Sequence, residues 1–258
     1  GLFEIASLSL PELSAPPGGE VSAGTLFVQF ANDTGLARFM ASLTAGQALP
    51  AVTLYGWRQS DMGSGDTLTL DLGGARVTSV SDSGISGEAM SHGYTVGIDF
   101  TSYEISTRTE SPTTGALNAA QSFGWSVAAD STTTVPDAPA TIAPTRSSLE
   151  PDSYYLQISG LTGNINGGPG ATGLFALDTF AFGASNYGSL PALNNLSLQL
   201  HDGASFMPQF EQLMTAGSLI STASVLGYNS TGQVYRLDLG DLNLTALVPQ
   251  PEGAAIVD

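Results

Sequence analysis

The sequence contains no cysteine and no lysine, and only two histidines and two tryptophans in 258 residues. Without cysteine there are no disulfides, no thiolate zinc site and no thiol nucleophile. Without lysine there is no Schiff-base chemistry and no phosphate-loop lysine. The six basic residues are all arginine: Arg38, Arg58, Arg76, Arg108, Arg146 and Arg236. They face 23 acidic residues, for a net charge of −17, which excludes the basic patch a nucleic-acid partner requires. The sequence carries no apolar run long enough to span a membrane and no basic-then-apolar leader. An opening on Gly1 reads either as a trimmed end or as a mature end left by signal removal. Charged residues make up 11% of the chain and glycine contributes 31 residues, a composition like that of bacterial surface and extracellular polymers. The absence of cysteine suits secretion without oxidative folding. A secreted or extracellular protein is expected.

What is present is a repeat. Phe39-Met40-Ala41-Ser42-Leu43-Thr44-Ala45-Gly46 matches Phe210 to Gly217 at Phe, Thr, Ala and Gly. Leu54-Tyr55-Gly56-Trp57 then matches Val225-Leu226-Gly227-Tyr228, and Leu70-Asp71-Leu72-Gly73 recurs as Leu237-Asp238-Leu239-Gly240. Val77 to Val80 corresponds to Leu244 to Leu247, and Gly1-Leu2-Phe3 to Gly173-Leu174-Phe175. The order is the same in both halves. One duplication implies two copies of one domain, placed here at residues 1–130 and 152–258. A Pro/Ser/Thr-rich linker at 131–151 carries Pro136, Pro139, Pro144 and Pro151.

The local pattern is mainly β. Partial period-2 alternation marks strands at 3–10, 26–30, 51–57, 67–72, 76–80 and 94–105, with a short one around Phe123, Trp125 and Val127. Gly63 to Asp66 and Gly73-Gly74 read as turns. One helix interrupts each half. Leu36, Phe39, Met40 and Leu43 form the first apolar stripe, with Asp33 or Thr34 as N-cap and Gly46 past the C-terminus. Met207, Phe210, Leu213 and Met214 form the second, with Ser205 as N-cap, Pro208 in the first turn and Gly217 at the end.

The order of elements resembles the hemolysin-coregulated protein (Hcp) family, the tube subunit of type VI secretion, whose fold is shared with phage tail-tube proteins. Tyr154 to Gly163 resembles the family's opening strand, Asp178 to Phe182 and Leu196 to Leu200 its next strands, and Ser205 to Ala216 its single helix. Tyr94 to Ile105 is similar to the closing strand, and Thr114 to Val127 to the Gly-Trp segment after it. The first half shows no opening strand before Gly1, and the second stops before a closing one. Trimmed ends, or neighbouring molecules completing each other's sheets through strand 1–10, would each account for this. The resemblance implies two tandem tail-tube-like β-barrel domains, each with one short α-helix. It also implies a structural subunit that associates with itself. Three tandem chains would close a pseudo-sixfold ring, and rings would stack into a hollow tube or filament. A type VI tube component is a narrower form of the same reading.

Catalytic, cofactor and metal residues are assigned to none. His92 and His201 lie in turn-like sequence, and no Gly-x-Ser-x-Gly elbow accompanies them. Asp71 and Asp238, equivalent by repeat, could be a carboxylate pair for glycoside hydrolysis, but each reads as the polar face of a strand entering a turn. Asp61 and Asp66 flank two glycines without a calcium loop's alternating ligands. Asn195 and Asn229 fit the N-glycosylation pattern, and Val248 to Glu252 reads as a linker or turn. The rival function is a carbohydrate-binding or adhesive β module, in which Trp57 and Tyr228 would stack on sugar. Their place on the strand after each helix suits packing equally well.

Overall fold

The computed structural model describes the chain except for residues 1–2, 12, 15–21, 31, 34, 61–62, 88–92, 112, 137–150, 164, 167–171, 187–189, 202–204, 250–254 and 258. The first half comprises β1 (Ile5–Ser9), β2 (Leu13–Ser14), β3 (Ser22–Ala23), β4 (Leu26–Phe30), helix α1 (Leu36–Ala45), β5 (Val52–Ser60), β6 (Gly63–Gly73), β7 (Arg76–Ile85), β8 (Gly93–Asp99), β9 (Ser102–Thr107), β10 (Gln121–Ser126) and β11 (Ser131–Thr132). The second half comprises β12 (Ser153–Ile158), β13 (Ile165–Asn166), β14 (Thr172–Ser185), β15 (Ala192–Leu193), β16 (Ser197–Leu200), helix α2 (Met207–Ala216), β17 (Ile220–Asn229), β18 (Gly232–Leu242), β19 (Leu247–Pro249) and β20 (Ala255–Val257).

One sheet runs through both halves in the order β1-β4-β8-β7-β14-β12-β17-β18, and a second sheet, β11-β10-β9-β6-β5, faces it in the first half. The first core is built on Leu26, Val28, Leu43, Tyr94 and Val96, and the second on Leu156, Phe175, Leu200, Phe210 and Val225, all at most 1% exposed. The alternation that marks β4 buries Leu26, Val28 and Phe30, and that of β8 buries Tyr94, Val96 and Ile98.

Several positions aligned by sequence share local features of pairing and capping, while Leu244 to Ala246 lie outside a strand where Val77 to Ser79 lie in β7. β1 pairs with β4 through Ile5↔Phe30 and Ser7↔Gln29, with an irregularity between them. β14 pairs with β16 through Leu177↔Leu200 and Thr179↔Gln199, with its irregularity at the same step. The hairpin after each helix breaks register at the aligned Gly56/Trp57 and Gly227/Tyr228. Gly46 and Gly217 both end their helices at φ 60° and 57°, a left-handed conformation that suits glycine.

Several sequence expectations change. The strand 94–105 is two strands: β8 stays in the first sheet and β9 crosses to the second. The apolar phase records the break, since Tyr94, Val96 and Ile98 are even-numbered whereas Tyr103 and Ile105 are odd. Gly63 to Asp66 is strand, paired with Trp57 to Ser60. α1 is capped by Gly35 at φ 97° and α2 by Phe206, neither with a side-chain cap, so Asp33 and Ser205 do not serve as caps; Thr34 lies outside the described residues. Val248 and Pro249 belong to β19. The start of the expected linker is attached to the first half: β11 pairs with β10, and Val135 is 8% exposed, its N–H donating to Glu104 Oε2 at 2.8 Å. Of the expected strand 1–10, Ile5–Ser9 pairs with β4 of its own chain.

Neither half is a closed barrel among the described residues. β12 bridges β14 and β17 in the second half, while no described strand bridges β1 and β5 in the first. β9 flanks β6, while no described strand flanks the outer edge of β18.

Candidate functional site

The two halves meet at a seam where β7 of the first half pairs with β14 of the second. It runs antiparallel from Thr179↔Ile85 to Ser185↔Ser79. Ser86 N–H donates to Asp178 O and Asn186 N–H to Thr78 O, both at 2.8 Å, one at each end of the seam. Little in the sequence announces it: Ser81 to Ser86 is polar and carries no apolar alternation, because backbone groups supply the pairing.

Side chains lock the seam from both sides. The Tyr235 hydroxyl donates to Asp82 Oδ2 at 2.5 Å, joining β18 to β7, and both residues are at most 5% exposed. Burial, together with the nearby Asp82 carboxylate, pushes the Tyr235 phenol far above its ordinary range. The Tyr94 phenol is also raised, by burial first and then by Asp33 and Asp82. Tyr154, Phe180 and Tyr235 pack as a ring cluster with centroids 5.0–6.1 Å apart. Gly84 lies beneath it, where an added Cβ would come within 2.6 Å of Phe180 and Tyr154. The Ser86 hydroxyl donates to Leu177 O at 2.5 Å and accepts from Tyr154 N–H at 3.0 Å. Asn186 Nδ2 donates to Leu43 O at 3.0 Å, tying the end of β14 to the last turn of α1. Asp82, Ser86, Asn186 and Tyr235 were not singled out from the sequence.

The residues that were singled out fall elsewhere and do not converge. Asp71 is 2% exposed and accepts from the Thr53 hydroxyl at 2.5 Å. Asp238 makes the same bond with the aligned Ser224 at 2.5 Å, but it is exposed and also takes Arg236 Nε at 2.8 Å. The Arg236 and Ser224 hydrogen bonds hold its carboxyl below the ordinary value. Asp238 and Arg236 line an open groove of about 420 Å³ together with Gln157, Ser159, Thr222 and Ser224. His201 Nδ1 lies 2.9 Å from Asp178 Oδ1 at an exposed position. Asp66 lies 3.7 Å from Arg108 Nε. His92 and Asp61 are outside the described residues. Asn195 is exposed, and Asn229 accepts from Thr231 N–H at 2.8 Å to close the β17–β18 turn. Among the described residues no group of His, Asp and Glu is arranged to hold a metal ion, and no helix is long and apolar enough to cross a membrane. Trp57 is 41% exposed, whereas the aligned Tyr228 is 8% exposed beneath Tyr155 of β12, with ring centroids 5.7 Å apart. That difference follows from the strand beside β17 that has no described counterpart beside β5.

No family model and no curated protein matches the chain. Among solved structures it is similar to a type six secretion system protein, at 15% identity and TM-score 0.44, over 50% of this chain and 85% of that one. It is also similar to Hcp1 from Salmonella typhimurium, at 16% identity and TM-score 0.42, over 51% and 84%. A third is the secreted protein Hcp3 from Pseudomonas aeruginosa, at 18% identity and TM-score 0.35, over 48% and 75%. Each of these spans about half of this chain.

Proposed function

We propose that this chain is a structural subunit that associates with itself into rings and a hollow tube or extracellular filament. It would be built from tandem domains at 1–130 and 152–258, joined across 131–151. The observation that carries the reading is the seam: one sheet passes from the first half into the second through β7 and β14. The strands aligned with these, β19 and β1, each have one edge unpaired among the described residues. Each half therefore has an open strand edge, among the described residues, at the place where the other half is joined. A heterologous contact between such edges generates a ring when its rotation closes, and three two-domain chains would give pseudo-sixfold symmetry. The reading assigns no catalytic residue, cofactor or metal, and places the protein outside the cell. A tube within a type VI secretion machine is its narrower form.

Negative-stain microscopy and sedimentation of purified protein test it. Rings or filaments are expected; a species that stays monomeric at high concentration would exclude the reading. The exposed Trp57 supports a second possibility, a carbohydrate-binding module. Glycan-array binding by monomer, lost in Trp57→Ala, would favour it.

A further inference from the structure

We infer that two copies of this chain meet end to end, the Leu190-Pro191-Ala192-Leu193 loop of each seated in an apolar pocket of the other. The inference rests on the self-association reading and adds a joint at the ends of the strands, where the ring reading uses their edges.

One row of the main sheet fixes where the two parts lie. Ser9 pairs with Phe27, Phe27 with Gly97, Gly97 with Ser79, and Ser79 with Ser185. Ser9 and Ser185 are the last residues of β1 and β14, so Leu10 and Asn186 leave the sheet at the same end. There Leu10, Pro11 and Phe100 form one wall of a pocket of about 180 Å³, and Tyr103, Ile105 and Phe123 of the second sheet form the other. No charged residue lines it among the described residues, and Leu10 and Phe123 are 54% and 51% exposed. An apolar cavity of about 150 Å³ takes a benzene ring, so this pocket has room for a leucine side chain.

The loop stands at the other end of that row. Ser185 pairs with Ala192 and Ala184 with Leu193, so Leu190 lies two residues beyond the row. Leu190 and Leu193 are 80% and 66% exposed, the highest values for large apolar side chains among the described residues. Clustered apolar exposure of this kind marks an interaction site, whereas scattered single residues do not. The loop cannot fill the pocket of its own chain. Four strand spacings of about 4.8 Å put about 19 Å between Ser9 and Ser185. Two residues beyond Ala192 reach at most about 7 Å. The pocket it enters therefore belongs to another copy.

Charge selects the same two places. Each copy carries a net charge of −17, so copies approach with least repulsion where neither surface is charged. Thr179 to Leu200, which holds the loop, has no charged residue. Neither has Ile5 to Pro11 or Ser111 to Ala129, which hold Leu10, Pro11 and Phe123 of the pocket. A two-fold axis midway along the row carries the loop of each copy to the pocket of the other, a contact that closes on itself. Where the sheet runs round a ring, its strand ends face along the ring axis, and this joint holds two rings face to face.

The native chain has no cysteine, which makes thiol cross-linking specific. L190C/F123C treated with a short bis-maleimide is expected to run as a covalent dimer on denaturing gels and no higher, because the two exchanged contacts satisfy both copies. A ladder of larger products would show a head-to-tail contact and overturn the exchange, as would the absence of any cross-linked product. L190C alone cross-linking to itself would show loop meeting loop and would also overturn it. L190D/L193D changes exposed side chains only, so its thermal melt should match the parent. By sedimentation its end-to-end association should weaken by about tenfold or more. Under the microscope the parent should show paired rings and this variant single ones. Paired rings in the variant would overturn the inference while leaving the ring reading intact. Cross-linked L190C/F123C dimers, from a protein whose parent forms no rings, would remove the ring reading and leave the joint standing.

Discussion

Tyr235 brings a phenol from the second half against a carboxylate from the first, and the consequence is pH-dependent. Its folded pKa is raised above the ordinary value of 10.0, so the unfolded chain gives up that proton first. The stability this group contributes is present below about pH 10 and is lost as pH rises beyond it. Urea midpoints should therefore fall steeply in alkali. Tyr235→Phe, which removes the hydrogen bond to a buried carboxylate, should lower stability at neutral pH by about 1.5–3 kcal/mol and flatten the alkaline decline. An unchanged alkaline slope in that variant would assign the decline to other groups. Asp71 and Asp238 show how far single residues were legible. Their repeated Leu-Asp-Leu-Gly setting identified both as polar strand positions, and both accept from a cross-strand hydroxyl. That one is buried and the other exposed depends on whether a strand runs alongside, which residues at either site do not encode.

Among the elements, the two helices were legible from apolar spacing and terminal glycines. Their N-termini were not, because residues competent to cap stood nearby while the cap positions went to Gly35 and Phe206. Gly46→Ala and Gly217→Ala each force a side chain into left-handed backbone and should each cost about 1–2 kcal/mol. A marked inequality in thermal melts would show that the two ends are loaded differently. β7 was read as half its length because Ser81 to Gly84 carries no apolar residue, yet Ser81 to Ile85 makes most of the seam. Gly84→Ala places a methyl against Phe180 and Tyr154 and should destabilise by about 1–3 kcal/mol. If that variant melts like the parent, the ring cluster yields more readily than close packing allows.

For the whole molecule, charge opposes what the sheet edges favour. Each copy brings a net charge of −17 into an assembly, and repulsion grows as copies join. At about 0.15 M salt the screening length is about 8 Å, enough to shield acids on separated surfaces. Sedimentation should therefore show polymer loosening at low ionic strength and tightening in mild acid until folding fails. Indifference to salt would place the acids away from every interface. The mainly β character was legible in the alternation, whereas the sheet that passes from the first half into the second was not, because it depends on backbone pairing between distant segments. That distance also matters during synthesis. Ile85 waits for Thr179, roughly a hundred residues later, so at 5–20 residues per second β7 stays open for about 5–20 s. Throughout that interval Asp82 is a charge on a bare edge, which discourages pairing with another nascent chain. Once β14 arrives and Tyr235 follows, the same carboxylate becomes a bonded part of the interior.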